Sequence, residues 1–216
     1  MSIFKNIIQI GSFIGNTEND PIFNSTLCSI DAHTRLFLVE PVPRFFNQLC
    51  KNYAKMYPNY YSNIVFINKA ITNYVGEIGM YVPALENDYS KYPPWVQQLS
   101  SVYSDHISHY KIRNPNIPYE NLVMHNIKVP ATTLNEIIKE YQISSIELLQ
   151  IDTEGHDYDI LMHYDFVVKP QKIIFEHKHI PTQLCNQLVG KLFEMGYRFI
   201  SFDSENAVFV LRHYKI

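Results

Sequence analysis

Short apolar runs alternate regularly with helix-patterned segments, and this alternation constrains the chain more than any other feature. NIIQI (6–10), RLFLVE (35–40), NIVFIN (63–68), IELLQID (146–152) and QKIIFEH (171–177) are apolar runs of strand length. After the second of them, Phe45, Phe46, Leu49, Cys50 and Tyr53 recur at helical spacing. Asp20-Pro21 offers an N-cap and a first-turn proline for a helix carrying Phe23, Leu27 and Ile30. Thr133 and Glu136 have capping-box spacing ahead of the apolar face Leu134, Ile137, Ile138 and Tyr141. A further helix is expected near 156–164. Leu184, Leu188, Leu192 and Phe193 mark another, which Gly196 should stop. Apolar strands separated by helices predict a mostly parallel, doubly wound α/β sheet with helices on both faces. The two final runs, YRFISF (197–202) and AVFVLRHY (207–214), lie too close for a helical crossover. They predict an antiparallel pair and a reversed last strand.

GEIGMYVP (76–83) and NLVMHNIKV (121–129) read as further extended segments. Between them the pattern breaks. Residues 83–121 are rich in Pro, Tyr, Ser and Asn, with room for a short helix near 96–110. A long irregular segment inside a compact domain is usually a functional lid or an insertion. The expected organisation is one domain over 1–216, with 83–121 as a lid or substrate-recognition insertion.

Composition sets outer limits. With 46% hydrophobic and 18% charged residues, the 216-residue chain can bury a substantial core. A net charge of −3 argues against a broad nucleic-acid-binding face. Cys28, Cys50 and Cys185 are odd in number and have no metal-like spacing, as expected of thiols in a reducing compartment. No apolar stretch is long enough to cross a bilayer. A soluble, cytoplasmic protein without membrane partners is expected.

Ligands of doubly wound sheets bind beyond the carboxyl ends of the strands, at the switch in strand order. Five strand ends therefore matter. The first reads Gly11-Ser12-Phe13-Ile14-Gly15-Asn16, where two glycines permit a tight turn and close backbone approach to a ligand. Its spacing is not the dinucleotide Gly-x-Gly-x-x-Gly, which disfavours a nicotinamide-dependent oxidoreductase. The second end is Glu40, an acid able to accept hydrogen bonds from both ribose hydroxyls of a nucleoside. Pro41 and Val42 could flank the adenine. At the third end, Asn68 could bond the adenine edge, and Ala70 leaves room for the ring. The fourth end, Asp152-Thr153-Glu154-Gly155-His156-Asp157, gathers carboxylates and an imidazole on one turn. Asp152 can hold a cofactor amine or orient a nucleophile, and His156 can serve as a base. The competing reading is helix capping by Asp152 or Glu154. The fifth end is Glu176-His177-Lys178-His179. On a strand, His177 and His179 would face one way and Glu176 the other, which resembles a metal half-site without a third ligand. No metal is assigned.

These residues resemble the FkbM-type methyltransferases, a branch of the class I S-adenosylmethionine enzymes. The resemblance lies in IIQIGSFIGNTENDPIF (7–23), FLVEPVPRFFNQLCKNY (37–53), INKAI (67–71), PPWVQQLSSV (93–102), IKVPATTLNEII (127–138), LLQIDTEGHDYDIL (148–161) and KPQKIIFEHKHI (169–180). It implies a Rossmann-like, seven-stranded sheet with the last strand antiparallel, and S-adenosyl-L-methionine as cofactor. By this resemblance the loop Gly11–Asn16, with Gln9 and Ser12, wraps the methionine part. Glu40 takes the ribose, Ser101 helps close the site, and Asp152 and Glu154 sit at the methyl-transfer end. The implied reaction is O-methylation of a hydroxyl on a sugar or other small molecule, with Asp152, His156 or His177 accepting the proton.

Three departures stand out. Gln9 occupies a position where many class I enzymes carry an acid. The helix that usually precedes the first strand is short or absent, so the pocket roof must come from 83–121 or from another subunit of a homo-oligomer. Asn206-Ala207 stands where related sequences often have an acid. Two rivals follow: a module that binds the cofactor without turnover, suggested by Gln9, and a metal-assisted methyltransferase or hydrolase using Asp152, Glu176 and His177.

Overall fold

The computed structural model describes residues 5–15, 17, 20, 22 and 33–213. Its strands are β1 (Lys5–Ile10), β2 (Thr34–Val39), β3 (Ile64–Ile67), β4 (Ala70–Ile71), β5 (Gly76–Pro83), β6 (Met124–Thr132), β7 (Ile146–Ile151), β8 (Pro170–Glu176), β9 (Tyr197–Phe202) and β10 (Asn206–Leu211). The helices are α1 (Pro43–Met56), α2 (His106–Arg113), α3 (Leu134–Glu140), α4 (Asp157–His163) and α5 (Thr182–Glu194). Seven strands form the main sheet in the order β3-β2-β1-β7-β8-β10-β9. All pairs are parallel except those of β10, which runs antiparallel to both β8 and β9. The strand order switches between β1 and β7, so the carboxyl ends of these two central strands define the crevice.

Strand alternation divides the core. Ile8, Ile10, Phe37, Leu149, Ile151, Ile173 and Phe175 face α3, α4 and α5 in the larger cluster. Ile7, Leu36 and Leu38 point the other way and meet Leu49 and Tyr53 of α1. By the same alternation Gln9 and Gln150, paired in register across β1 and β7, lie on this second face. Pro43 occupies the first turn of α1, where its missing N–H costs nothing. Thr133 caps α3 as expected, its Oγ1 accepting from Glu136 N at 3.1 Å. Gly196, at φ 95°, follows the C-cap of α5.

Three expectations shift. The strand read at 121–129 lies at 124–132, because Tyr119–Asn121 form a 3-10 turn and the strand continues through Pro130. It does not join the main sheet. With β5 and β4 it builds a separate sheet in the order β4-β6-β5. The single helix near 96–110 is two pieces, a 3-10 turn at Pro94–Gln98 and α2. Residues 84–123 thus leave and re-enter through the antiparallel β5–β6 ribbon, with Pro83 opposite Met124. They pack around their own apolar cluster of Tyr92, Val96, Leu99, Tyr110, Tyr119 and Leu122. The helix expected over Phe23, Leu27 and Ile30 lies outside the described residues. Among the described residues, no helix is long and apolar enough to cross a membrane.

One side chain joins two helices on the larger core face. Lys191 of α5 donates to Leu161 O at 3.0 Å, Met162 O at 2.7 Å and Tyr164 O at 2.9 Å, satisfying the carbonyls that α4 leaves open at its end. Lys191→Met keeps the apolar stem and removes these bonds. It should lower the unfolding free energy by roughly 1–3 kcal/mol in a denaturant titration; an unchanged midpoint would show that the bridge contributes nothing net.

Candidate active site

The β1 and β7 ends meet at Gly11. Gly11 N and Ser12 N both donate to Val39 O at 3.0 Å, and Asp152 N donates to Ile10 O at 2.9 Å. Gly11 adopts φ 85°, and a Cβ there would lie 1.7 Å from the Asp152 carbonyl oxygen. Only glycine fits this crossing. Gly15, at φ 70°, is equally constrained: a Cβ would stand 2.3 Å from the Tyr53 ring. Gly15 is therefore a packing residue against α1 and does not line the cavities, while Gly11 does. Asn16 lies outside the described residues.

Glu40, buried at the end of β2, is wired to the same loop. Its Oε2 accepts from Phe13 N at 2.9 Å and its Oε1 from Val42 N at 2.8 Å. Each carboxylate oxygen keeps a further acceptor site, and the residue lines a cavity. Burial pushes the carboxyl up to about 8, against the pull of the two backbone N–H donors. Asn68 differs from expectation. Its Nδ2 donates to Glu40 O at 2.9 Å and Pro41 O at 3.0 Å, so the amide supports the loop that carries Glu40 and is not among the cavity-lining residues. Ala70 and Pro41 do line the cavity.

On the other side of Gly11, Gln9 is buried, and its Nε2 donates to Asp20 Oδ1 at 3.1 Å. Gln9 Oε1 and Gln150 Oε1 are buried without a hydrogen-bond partner, and both residues line a second cavity together with Asp20. A carboxyl group thus stands beside Gln9, on Asp20. Asp20 Oδ1 also accepts from Ile22 N at 2.9 Å, the local bond of a turn-forming residue.

The β7 end is held by a residue that sequence reasoning passed over. Asp157 is fully buried. Its Oδ2 accepts from Thr153 N at 3.1 Å and Thr153 Oγ1 at 2.5 Å, and its Oδ1 from Glu176 N at 3.0 Å. Burial raises its carboxyl to about 6, partly offset by these donors. The spacing Thr153-x-x-x-Asp157 at a helix start was the available signal. The turn between carries Glu154 at φ 53° and Gly155 at φ 108°. Ser101 Oγ donates to Glu154 O at 2.9 Å, so this fully buried serine pins the turn to the 84–123 segment, and its neighbours Ser100 and Val102 face the cavity.

Four carboxyls crowd this edge. Burial, and then the charge of Glu154, push Asp152 upward. Burial alone would also raise Glu154, but His179, Lys178 and Tyr110 hold it below the usual range. Tyr110 OH donates to Glu154 Oε2 at 2.5 Å. Burial and the three neighbouring acids push Glu176 up, opposed by Lys178 Nζ at 2.5 Å from its Oε1. His156 lines the first cavity. Its Nδ1 lies 3.3 Å from Tyr103 OH and 3.4 Å from Asp159 Oδ2, and its Nε2 is buried without a partner. Burial lowers its pKa, favouring the neutral ring.

His177 is a correction. β8 ends at Glu176, and the chain turns before the period-two alternation can place His177 and His179 together. His177 stacks on Phe202 at 3.6 Å between ring centroids and donates from Nε2 to Asp203 O at 3.0 Å. It packs against the β9–β10 turn and lines neither cavity, which removes it from the candidate bases. His179 takes its place at the cluster, with Nε2 3.3 Å from Glu154 Oε2.

The result is one cleft with two chambers. The first, of about 90 Å³, is lined by Glu40, Pro41, Phe45, Ala70, Ile71 and His156 among others. The second, of about 550 Å³, is lined by Gln9, Ser12, Asp20, Tyr110, Glu176 and Lys178 among others. Gly11, Phe13, Gln98, Asp152 and Glu154 belong to both.

A family model described as the methyltransferase FkbM domain matches residues 9–199. The fold is similar to the methyltransferase FkbM from Methylobacillus flagellatus KT, with a TM-score of 0.53 and 13% identity over 97% of this chain and 44% of that one. This chain therefore spans less than half the length of that relative. The O-methyltransferase TomG from Streptomyces achromogenes, in complex with SAM, aligns with a TM-score of 0.46 and 9% identity over 97% of this chain and 74% of that one. A comparison with curated proteins finds no match.

Two outcomes test these wires. In Asp157→Asn an amide NH₂ must face backbone N–H donors, so the variant should lose about 1–3 kcal/mol of stability by thermal or chemical unfolding. Glu40 carries a folded pKa of about 8 against an ordinary 4.5. The folded state holds its proton more tightly, so this contribution is fully present below about pH 4.5 and is lost as pH rises through about 8. Thermal unfolding should show that Glu40→Gln loses stability less steeply than the wild type over this range; parallel profiles would exclude Glu40 as the source.

Proposed function

The chain belongs to the FkbM methyltransferase domain family, and from that premise we propose that it transfers a methyl group from S-adenosyl-L-methionine to a hydroxyl of a small molecule or glycan. The observation that carries this reading is the convergence of Gly11, Glu40 and Asp152 on one cleft at the switch in strand order. The residues present fit the cofactor. Glu40 offers free acceptor sites to the ribose hydroxyls, and Ile10, Val39, Ala70, Ile71 and Met80 form an apolar slot for the base. The unpartnered Gln9 Oε1 and the neighbouring Asp20 carboxylate suit the ammonium of the methionine part, beside the backbone of Gly11 and Ser12.

When bound, the cofactor supplies an activated methyl group, whose bond to sulfur breaks as the bond to the acceptor oxygen forms. The protein's work is alignment, exclusion of water and removal of the hydroxyl proton. His156 is the group we assign to that last step. Asp159 and Tyr103 engage Nδ1, which leaves Nε2 as an unpartnered acceptor on a residue that lines the cleft. Asp152, at the junction of the chambers, orients the reacting groups. The acceptor enters, in this reading, between the 84–123 segment and the β7 and β8 ends. A cavity of about 240 Å³ there is lined by Tyr103, His106, His109, Tyr158 and Asp159. Aromatic faces with polar edges suit a sugar or a similarly hydroxylated ring.

Calorimetry with S-adenosylmethionine and S-adenosylhomocysteine tests the cofactor assignment. Both should bind at one site per chain, and Glu40→Ala should weaken both at least about tenfold, the equivalent of about one lost hydrogen bond. Failure of the wild-type chain to bind either would end this reading. With an acceptor in hand, His156→Gln should lower kcat about 10²–10⁴-fold while leaving S-adenosylhomocysteine affinity near wild type. Unchanged kcat would remove His156 as the base.

A further inference from the structure

We infer that Glu154, Glu176 and His179 form a binding site for a first-row divalent cation at the sheet edge where β7 and β8 end. The sequence showed half of such a site around Glu176 and no third ligand. The β7 turn brings Glu154 to it, and the turn after β8 substitutes His179 for His177. One carboxylate oxygen from each of Glu154 and Glu176 and one ring nitrogen of His179 all lie within 4.8 Å of one another. His179 Nε2 is 3.3 Å from Glu154 Oε2 and 3.7 Å from Glu176 Oε2. Donors at about 2.1 Å from a tetrahedral or octahedral centre stand roughly 3.0–3.4 Å apart, so two edges of a coordination polyhedron are nearly in place.

A separate observation points to a missing ligand. Glu176 is 3% exposed, and its Oε2 accepts no hydrogen bond while lying 3.7 Å from His179 Nε2. Lys178 engages only Oε1. A buried carboxylate oxygen without a partner is costly, and a cation between the three donors would satisfy it. Four carboxyls, of Asp152, Glu154, Asp157 and Glu176, gather here beside the ammonium of Lys178. Tyr110 OH sits 2.5 Å from Glu154 Oε2 and 3.0 Å from His179 Nε2, fixing both groups from one side. The 550 Å³ chamber opens on Glu154 and Glu176 and leaves room for water or a ligand oxygen to complete the coordination. An imidazole with two carboxylates suits Mn²⁺, Fe²⁺ or Zn²⁺ better than Ca²⁺ or Mg²⁺, which favour oxygen-only shells. The alternative is a hydrogen-bonded cluster that holds no ion.

The full chain, free of any histidine tag and dialysed against chelator, is titrated with Mn²⁺ and with Zn²⁺ by calorimetry. The site predicts one ion per chain. Glu176→Gln and His179→Gln should each weaken binding at least about tenfold, with circular dichroism confirming their folds. Binding well below one ion per chain, or unchanged in both variants, would overturn the proposal in favour of the ion-free cluster. If neither variant folds, crystals of the wild-type protein soaked in Mn²⁺ decide: an anomalous peak between Glu154, Glu176 and His179 supports the site, and its absence excludes it. S-adenosylhomocysteine binding measured on the same samples separates this result from the cofactor assignment, on which it does not depend.

Discussion

The buried carboxylate of Asp157 holds the working edge of this fold together. It takes two hydrogen bonds from Thr153 and one from the backbone of Glu176, so the loops after β7 and β8 share one anchor. Asp152, Glu154 and His156 sit on the first loop, and Glu176, Lys178 and His179 at the end of β8 and the turn beyond it. The Gly11 crossing adds the β1 end, since the Asp152 carbonyl occupies the space a side chain at Gly11 would need. Glu40 adds the β2 end through Phe13 and Val42. Four strand ends are thus tied by carboxylates and one glycine contact. These ties fix the strand ends that line the cleft relative to one another, and fixed positions are the condition for alignment to contribute to catalysis.

That edge concentrates negative charge in a place with little water. Asp152 and Glu176 are pushed upward while Glu154 is held down, so neighbouring acids are driven apart by their surroundings. Lys178 is kept charged despite its burial by Glu176 and Glu154. Groups whose protonation depends so strongly on their neighbours respond sharply to any charged ligand, a sulfonium included.

Much of the fold was legible because it rests on local periodicity. The apolar runs at 6–10, 146–152 and 197–202 match strands within a residue or so, and the Thr133 cap and the Gly196 stop stand where their chemistry requires. The strand ends also pointed to the cleft. What escaped depends on tertiary geometry. Alternation predicted a common direction for His177 and His179, but the strand stops one residue earlier and the chain turns. Asn68 has the chemistry to read a base edge, yet the nearby carbonyls of Glu40 and Pro41 claim its amide. Asp157 has no periodic signature; its importance comes from a bond to Glu176, nineteen positions away.

The segment between β5 and β6 has a consequence for how such a protein can change. Its two roots, Pro83 and Met124, are register partners, so the ends of the excursion are held side by side by the ribbon. Its apolar residues pack mainly on each other, in a cluster separate from the main core. It meets the working edge through a small number of directed contacts, among them Ser101 to Glu154 and Tyr110 to Glu154 and His179. An element with adjacent ends and its own core is an exchangeable cassette. Length and sequence can drift within it at small cost in loop closure, while the sheet and its tied strand ends remain a constant platform. Sequence diversity would then accumulate in residues 84–123 without disturbing the tied strand ends beneath.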